Sequence, residues 1–210
     1  MKEARLYSRE KDGIVSCALC RRRCRIKPGK RGYCGVRKNQ QGVLTSLVYG
    51  RVAAEHIDPV EKKPFYHFLP ASRSFSISTV GCNFSCQHCQ NYQISQYPYM
   101  HQEEIIGSRR SPEQIVTAAE QAGCRSISYT YAEPTVFYEF AHDCMVSARA
   151  RGLANLFVSN GFMTAECSRK LAPFLDGINI DIKSFSEEFY RTICKASLQP
   201  VLDTVRLMRE

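Results

Sequence analysis

No run of apolar residues approaches the roughly 20 that a membrane helix needs, which excludes a helical membrane-spanning protein. The start, Met1-Lys2-Glu3-Ala4-Arg5, mixes charges and lacks an apolar stretch, so no secretory signal is read and a cytoplasmic location is expected. Internal repeats and low-complexity tracts are absent. Acidic residues are scarce at the beginning: residues 1–38 hold 3 Asp/Glu against 13 Lys/Arg, so the +9 of the whole chain resides in its first segment. A basic arm of this kind invites a nucleic-acid reading. The 210 residues, 44% apolar and 23% charged, are otherwise of globular composition, with room for one or two domains around a sizeable core.

What the chain has in excess is cysteine. There are 11, an odd number that argues against a closed disulfide framework, and cytosolic cysteine clusters more often bind metal or do redox chemistry. Seven fall into two tight groups: Cys17, Cys20, Cys24 and Cys34, then Cys82, Cys86 and Cys89. The scattered Cys124, Cys144, Cys167 and Cys194 read as small buried hydrophobes.

Three segments are expected. Residues 1–42 form a cysteine-rich metal-binding piece, with too little apolar surface in 1–40 to fold unaided. Residues 43–72 are a β-rich connector, with strand over 43–54 interrupted near Gly50, then a loop over 55–71 carrying Pro59, Pro64 and Pro70. Residues 73–210 alternate strand and helix. Strands are read at 73–80, 126–130, 154–158 and 177–182. Helices are read from the Ser111 cap to Gly123, and over about 135–151, 164–175, 186–194 and from 200 onward. Four such alternations imply parallel strands with right-handed crossovers, either an open sheet or part of a barrel. A closed barrel needs eight units. The chain stops at Glu210 within an amphipathic helix, so an interrupted domain is expected.

Gly81-Cys82-Asn83-Phe84-Ser85-Cys86-Gln87-His88-Cys89 directly follows the first strand of this region. Three thiolates at C-x3-C-x2-C spacing can hold one iron–sulfur cube, leaving one iron open. A zinc knuckle of three cysteines and a histidine is the competing reading, although His88 is poorly placed to share a metal with its neighbour Cys89. The N-terminal set is C-x2-C-x3-C-x9-C, four thiols suited to a closed site of zinc or an auxiliary iron–sulfur cluster. Either group on four thiolates is a dianion. Arg21, Arg22, Arg23, Arg25, Lys30 and Arg31 surround it in sequence and can balance that charge rather than grip phosphates.

The Cys82–Cys89 loop resembles the signature of radical S-adenosylmethionine (SAM) enzymes. Cys17-Ala-Leu-Cys20-Arg-Arg-Arg-Cys24, Cys34-Gly-Val-Arg37 and Tyr129-Thr-Tyr-Ala-Glu-Pro-Thr135 extend the resemblance, across essentially the whole chain, to the radical SAM member of the AmmeMemoRadiSam system. That group is similar to pyruvate formate-lyase activating enzyme. The resemblance implies a partial parallel (β/α) barrel, here truncated after about four β/α units, with SAM at the carboxyl ends of the strands. It implies a [4Fe–4S] cluster on Cys82, Cys86 and Cys89, and an oxidoreductase-like activity. SAM is reductively cleaved to methionine and a 5′-deoxyadenosyl radical, which takes hydrogen from an unidentified substrate. It further implies a reduced flavodoxin or ferredoxin as electron donor. An inactive fragment is the reading if the half-barrel cannot close.

The strand ends carry the remaining candidates. Glu133, after strand two, takes the place of the last residue of the family's Gly-Gly-Glu motif and would hold the SAM ammonium; Tyr131 and Ala132 stand where that motif has glycines. Ser159 and Asn160 follow strand three, and Asn160 suits a ribose hydroxyl or the methionyl carboxylate. The activating enzymes commonly have an Asp where Val158 stands, so a cation site there is not expected. Asp181 and Lys183 close strand four, Lys183 offering a positive charge to a carboxylate. Phe84 and His88 supply aromatic faces, His88 at the position that lies near the adenine. Each also has a plain reading, as loop, turn or solvated strand-end residues. Two alternatives stay open: an activase whose substrate is a glycine of another protein, and a basic zinc protein that contacts nucleic acid. Tyr33 alone interleaves the basic cluster with an aromatic, which disfavours nucleic acid.

Overall fold

The central sheet is built by short strands in which small polar and large apolar residues alternate. A computed structural model describes residues 1–209. Arg73–Ser78, Ser126–Tyr129, Ala154–Ser159 and Gly177–Ile180 lie side by side in chain order, all parallel, with Ser74 opposite Ser126, Ser128 opposite Leu156 and Ser159 opposite Ile180. Alternation ordinarily marks a strand with one wet face. Here Phe75, Ile77, Ile127 and Tyr129 pack in the main core, yet Ser74, Ser76, Ser78, Ser126 and Ser128 are also buried. Ser74 and Ser128 satisfy each other across the strands at 2.6 Å.

The expected loop over 55–71 contains a fifth strand. Ala54–Pro59 runs antiparallel to the first parallel strand, from Ala54 opposite Ser78 to Pro59 opposite Arg73, and a tight turn over Val60–Lys62 follows. The segment Glu-His-Ile-Asp carries little β-branched or aromatic character, so its pairing comes from the neighbour's free edge rather than from propensity. Pro59 is tolerated because it ends an edge strand.

The first long helix begins where its cap predicts. Ser111 Oγ accepts from Gln114 N at 3.2 Å and Gln114 Oε1 accepts from Ser111 N at 2.9 Å, opening the helix Pro112–Gln121. Tyr138–Ala150 packs beside it, entered through a tight turn over Pro134–Phe137. The expected helix over 164–175 is α-helical only across Ala165–Leu171 and tightens over Ala172–Phe174, where Pro173 removes a donor. The one expected over 186–194 is a single α turn, Glu187–Phe189, continued by a wide π turn, Tyr190–Cys194. Gln199–Arg209 follows; the expected end at Glu210 lies outside the described residues. No helix among the described residues is long and apolar enough to cross a membrane.

Residues 1–46 make two small antiparallel sheets, and their apolar side chains enter the same core as the central sheet. Val15, Leu19, Ile26 and Val36 are each no more than 2% exposed. Leu19–Arg21 runs along residues 162–164: Arg21 N donates to Phe162 O at 3.1 Å and Thr164 N to Leu19 O at 3.3 Å. Arg37 and Glu139, 1% and 0% exposed and 2.9 Å apart, tie this segment to the helix Tyr138–Ala150. A second, smaller core of Phe84, Phe162, Tyr190, Cys194, Leu198 and Val201 lies under the cysteine loop.

Candidate functional site

The carboxyl ends of the four parallel strands open onto one cavity of about 640 Å³. Cys82, Cys86 and Cys89 line it, together with Glu133, Asn160, Asp181 and Lys183. The strand-end reading therefore brings one station from each parallel strand to a single place. Phe84 borders the cavity but is 1% exposed, clamped edge-on between Phe162 and Tyr190 at 5.2 and 6.1 Å, so its ring supports the loop from beneath.

The loop is placed by backbone packing. Gly81 has φ +98°, and a Cβ there would meet Val36 Cγ1 at 2.5 Å and the Cys34 carbonyl oxygen at 2.8 Å. Glycine is required for this approach, and it brings the second cysteine group against the first. Beyond it, Ser85 N donates to Cys194 O at 3.3 Å and Gln87 N to Ile193 O at 3.0 Å. Arg22 reaches in from between Cys20 and Cys24, donating from Nε to Asn83 O at 2.9 Å and from Nη2 to Lys195 O. Its guanidinium lies 3.8 Å from the centre of the Tyr33 ring, and Tyr33 Oη donates to Ser85 Oγ at 3.0 Å.

The donors around the thiols suit sulfur that carries negative charge. Phe84 N donates to Cys82 Sγ at 3.3 Å, and Ser95 Oγ lies 3.3 Å from Cys89 Sγ. Burial pushes the Cys82 thiol well up, helped by the Glu133 charge, and burial with Cys194 beside it pushes Cys86 up to about 12, so these two need a cation to hold them as thiolates. Three sulfurs bound to one zinc at about 2.3 Å would crowd within roughly 4 Å of each other. The one set of three or more ligand atoms mutually within 4.8 Å among the described residues is Cys86, His88 and Cys194, not the triplet. The triplet lines the cavity without all three sulfurs closing to within 4.8 Å of one another, and its donor set and open space fit a [4Fe–4S] group.

Glu133 caps the turn after strand two. Its Oε1 accepts from Thr135 N at 3.0 Å, Thr135 Oγ1 at 2.5 Å and Ser159 Oγ at 2.7 Å, and Oε2 accepts from Asn160 N at 2.8 Å. The carboxyl is 2% exposed, and burial raises its pKa against the pull of those donors. Ser159 is thus a strut between strand ends and does not line the cavity. Asn160 Nδ2 donates to Asn83 Oδ1 at 2.7 Å, joining strand three to the cysteine loop. Asp181 and Lys183 pair at 2.7 Å. His88 lies outside the lining, exposed, its ring 5.7 Å from Phe189.

Sequence reasoning missed the opposite wall. Lys62, Lys63 and Tyr131 line the cavity, and all three donate to Asp58, Lys62 and Lys63 at 2.7 Å each. Burial would raise the Asp58 pKa, but these three donors win and hold it well below the usual carboxylate range. The Lys62–Asp58 spacing of four was the available signal, hidden by the proline-rich loop reading. Tyr131 adopts φ +63°, a left-handed backbone that glycine takes freely and other residues rarely do. Its carbonyl accepts from Asn91 Nδ2 at 2.8 Å and its ring carries Lys63 Nζ at 4.1 Å.

At the other cysteine group, Cys17 and Cys34 are buried and Cys20 and Cys24 half-buried. Burial pushes Cys34 up to about 11, and Cys17 and Cys24 add to the shift. The four thiols are near enough to feel one another without being drawn together as a set. Beside them Arg37 keeps Nε and Nη1 unpartnered, and it feels Cys17, Cys34 and Cys20.

Residues 76–210 match the model of the Radical SAM superfamily. The chain is 45% identical over 210 residues to the uncharacterized protein MJ0808 of Methanocaldococcus jannaschii, covering 100% of this chain and 61% of that protein. It therefore spans less than two thirds of the length of that curated relative. A solved structure of TYW1 with a lysine-pyruvate adduct bound aligns at TM-score 0.45 and 14% identity, over 69% of this chain and 53% of that one.

Proposed function

We propose that this chain, which belongs to the radical SAM superfamily, holds a [4Fe–4S] cluster on Cys82, Cys86 and Cys89 and cleaves SAM reductively. The observation that supports this best is the cavity into which all three thiols and a polar station from each parallel strand converge. When bound, the cluster supplies the electron that splits SAM into methionine and a 5′-deoxyadenosyl radical. The chain's own residues orient and shield. Asp181 and Lys183 present a paired charge to the amino-acid end of SAM. Asn160 offers a donor and an acceptor. Glu133, through Oε2, offers an acceptor to an ammonium while its Oε1 braces Ser159. Phe84, Phe162 and Tyr190 keep water from beneath the loop.

The finer reading follows the resemblance: an enzyme of the AmmeMemoRadiSam type, with an activase acting on a partner protein as the alternative. A second metal, zinc or an auxiliary cluster, belongs to Cys17, Cys20, Cys24 and Cys34, and the unpartnered N–H groups of Arg37 suit thiolate acceptors there. The basic arm serves this architecture rather than nucleic acid. Arg21 pairs with Asp203, Arg25 with Glu10 and Arg31 with Glu103. A cleft bearing Arg21, Arg22, Arg191 and Lys195 lies behind the cysteine loop and suits an acidic flavodoxin or ferredoxin delivering the electron. In the test, wild type after anaerobic reconstitution contains iron and sulfide at the triplet and cleaves SAM. The Cys82→Ala, Cys86→Ala and Cys89→Ala variants each lose both. SAM cleavage by the triple variant would overturn the assignment.

A further inference from the structure

The fourth thiol of the loop region has no role in the function proposed above. Cys194 ends the π turn and is fully buried, as expected of a scattered cysteine, but it does not pack in the main core as Cys124, Cys144 and Cys167 do. Its sulfur, Cys86 Sγ and a ring nitrogen of His88 all lie within 4.8 Å of one another. The two bonds from Ser85 N and Gln87 N to the carbonyls of Cys194 and Ile193 bracket Cys86 and hold its backbone on the turn. Phe189, from the preceding α turn, steadies the His88 ring.

We propose that Cys86, His88 and Cys194 form a mononuclear site for a soft divalent cation, zinc above all, in the cluster-free chain. Two thiolates and one imidazole fill three of four tetrahedral positions and leave the fourth for water, a donor set that suits zinc. Bond lengths of about 2.3 Å to sulfur and 2.0–2.1 Å to nitrogen place such ligand atoms roughly 3.5–3.8 Å apart. The observed set, within 4.8 Å, must close by about 1 Å. Binding releases one proton from each thiol, takes the imidazole neutral and involves no electron transfer. Cys82 and Cys89 take no part. Because Cys86 serves both centres, a cation here and a cluster on the triplet exclude each other. The exclusion rests on the proposed cluster assignment, whereas the cation site does not.

Anaerobic titration of the metal-free full chain with Co2+ reads the site through thiolate-to-cobalt charge-transfer absorption. Two classes of site are expected in the wild type, one at the N-terminal cysteines and one here. His88→Ala and Cys194→Ser should each remove the second class, and the Cys82→Ala/Cys89→Ala double variant should retain it. His88 is exposed, and besides the two sulfurs its ring meets Phe189, so its variant keeps the fold and decides the matter even if Cys194→Ser does not fold. A second class that survives His88→Ala, that disappears in the Cys82→Ala/Cys89→Ala variant, or that is missing from the wild type would overturn the proposal. In a second arm, preloading with zinc should lower cluster incorporation in wild type and not in His88→Ala. If wild type builds no cluster even without zinc, the function proposed above fails, while the cobalt result still decides this site.

Discussion

At the scale of single residues, Glu133 shows how a residue that lines a cavity can also be a structural one. Its four accepted hydrogen bonds exist without any ligand, and two of them hold Ser159 and Asn160 at the end of strand three. Glu133→Gln preserves shape but turns one acceptor into a donor, which must face a backbone N–H, that of Asn160 or that of Thr135. The unmatched donor should cost about 1–3 kcal/mol in the cluster-free chain. Loss of the charge should weaken SAM binding by about ten- to a hundredfold, the equivalent of roughly 1.5–3 kcal/mol. Thermal melting of the cluster-free variant and SAM binding to the reconstituted one measure the two effects separately. An unchanged melt would show that the network adds nothing, and unchanged affinity would remove Glu133 from the SAM site. Tyr131 makes the same point for the backbone. A left-handed tyrosine costs about 1–2 kcal/mol, and it is held by Asn91, Asp58 and Lys63 rather than by any preference of its own.

At the scale of elements, the cysteine loop is braced from two sides. One brace is the π turn Tyr190–Cys194, whose last carbonyls have no donor within the helix and accept from the loop. The other is Arg22, whose planar fork joins Asn83 to Lys195 while its face stacks on Tyr33. Arg22→Ala should leave Cys17, Cys20, Cys24 and Cys34 intact yet loosen the loop, because it removes two donors to backbone carbonyls at about 1.5–3 kcal/mol each. The expected result is a severalfold lower iron and sulfide content after reconstitution and faster loss of cluster to a chelator. Arg22→Lys should fail to restore it, since an ammonium cannot reproduce the fork. Full cluster content in Arg22→Ala would show that the π turn alone suffices.

At the scale of the whole molecule, the two cysteine groups lie back to back. Gly81 presses on Cys34 and Val36, and Arg22 leaves the first group to hold the second. Metal loss from the first should therefore be felt at the other. Cys20→Ser is expected to raise amide hydrogen exchange over residues 17–34 and, through Arg22, over residues 81–90, with helix Pro112–Gln121 unchanged. Exchange confined to residues 17–34 would mean that the apolar contacts of Val15, Leu19 and Val36 hold the segment in place without its metal.

The parallel α/β order and the placement of one functional station after each strand were legible in the sequence, because both follow from local signals. The Ser111 cap, strand-length apolar runs and the short cysteine spacings act within a few residues. That the three cysteines of the triplet would share one place was legible for the same reason, and all three line the cavity. What lies across the cavity was not. Asp58, Lys62 and Lys63 face Tyr131 only because Ala54–Pro59 takes the free edge of the first parallel strand, and an edge pairing depends on the neighbour rather than on the segment's own residues. Cys194 could not be told from Cys144 by pattern, since both are single cysteines in helical surroundings. Only the π turn brings its sulfur to Cys86. Likewise the basic arm reads as free charge in sequence, whereas folding brings Asp203, Glu103 and Glu139 to its arginines from distant positions. Local chemistry decided which residues can do work here, and long-range packing decided which of them meet.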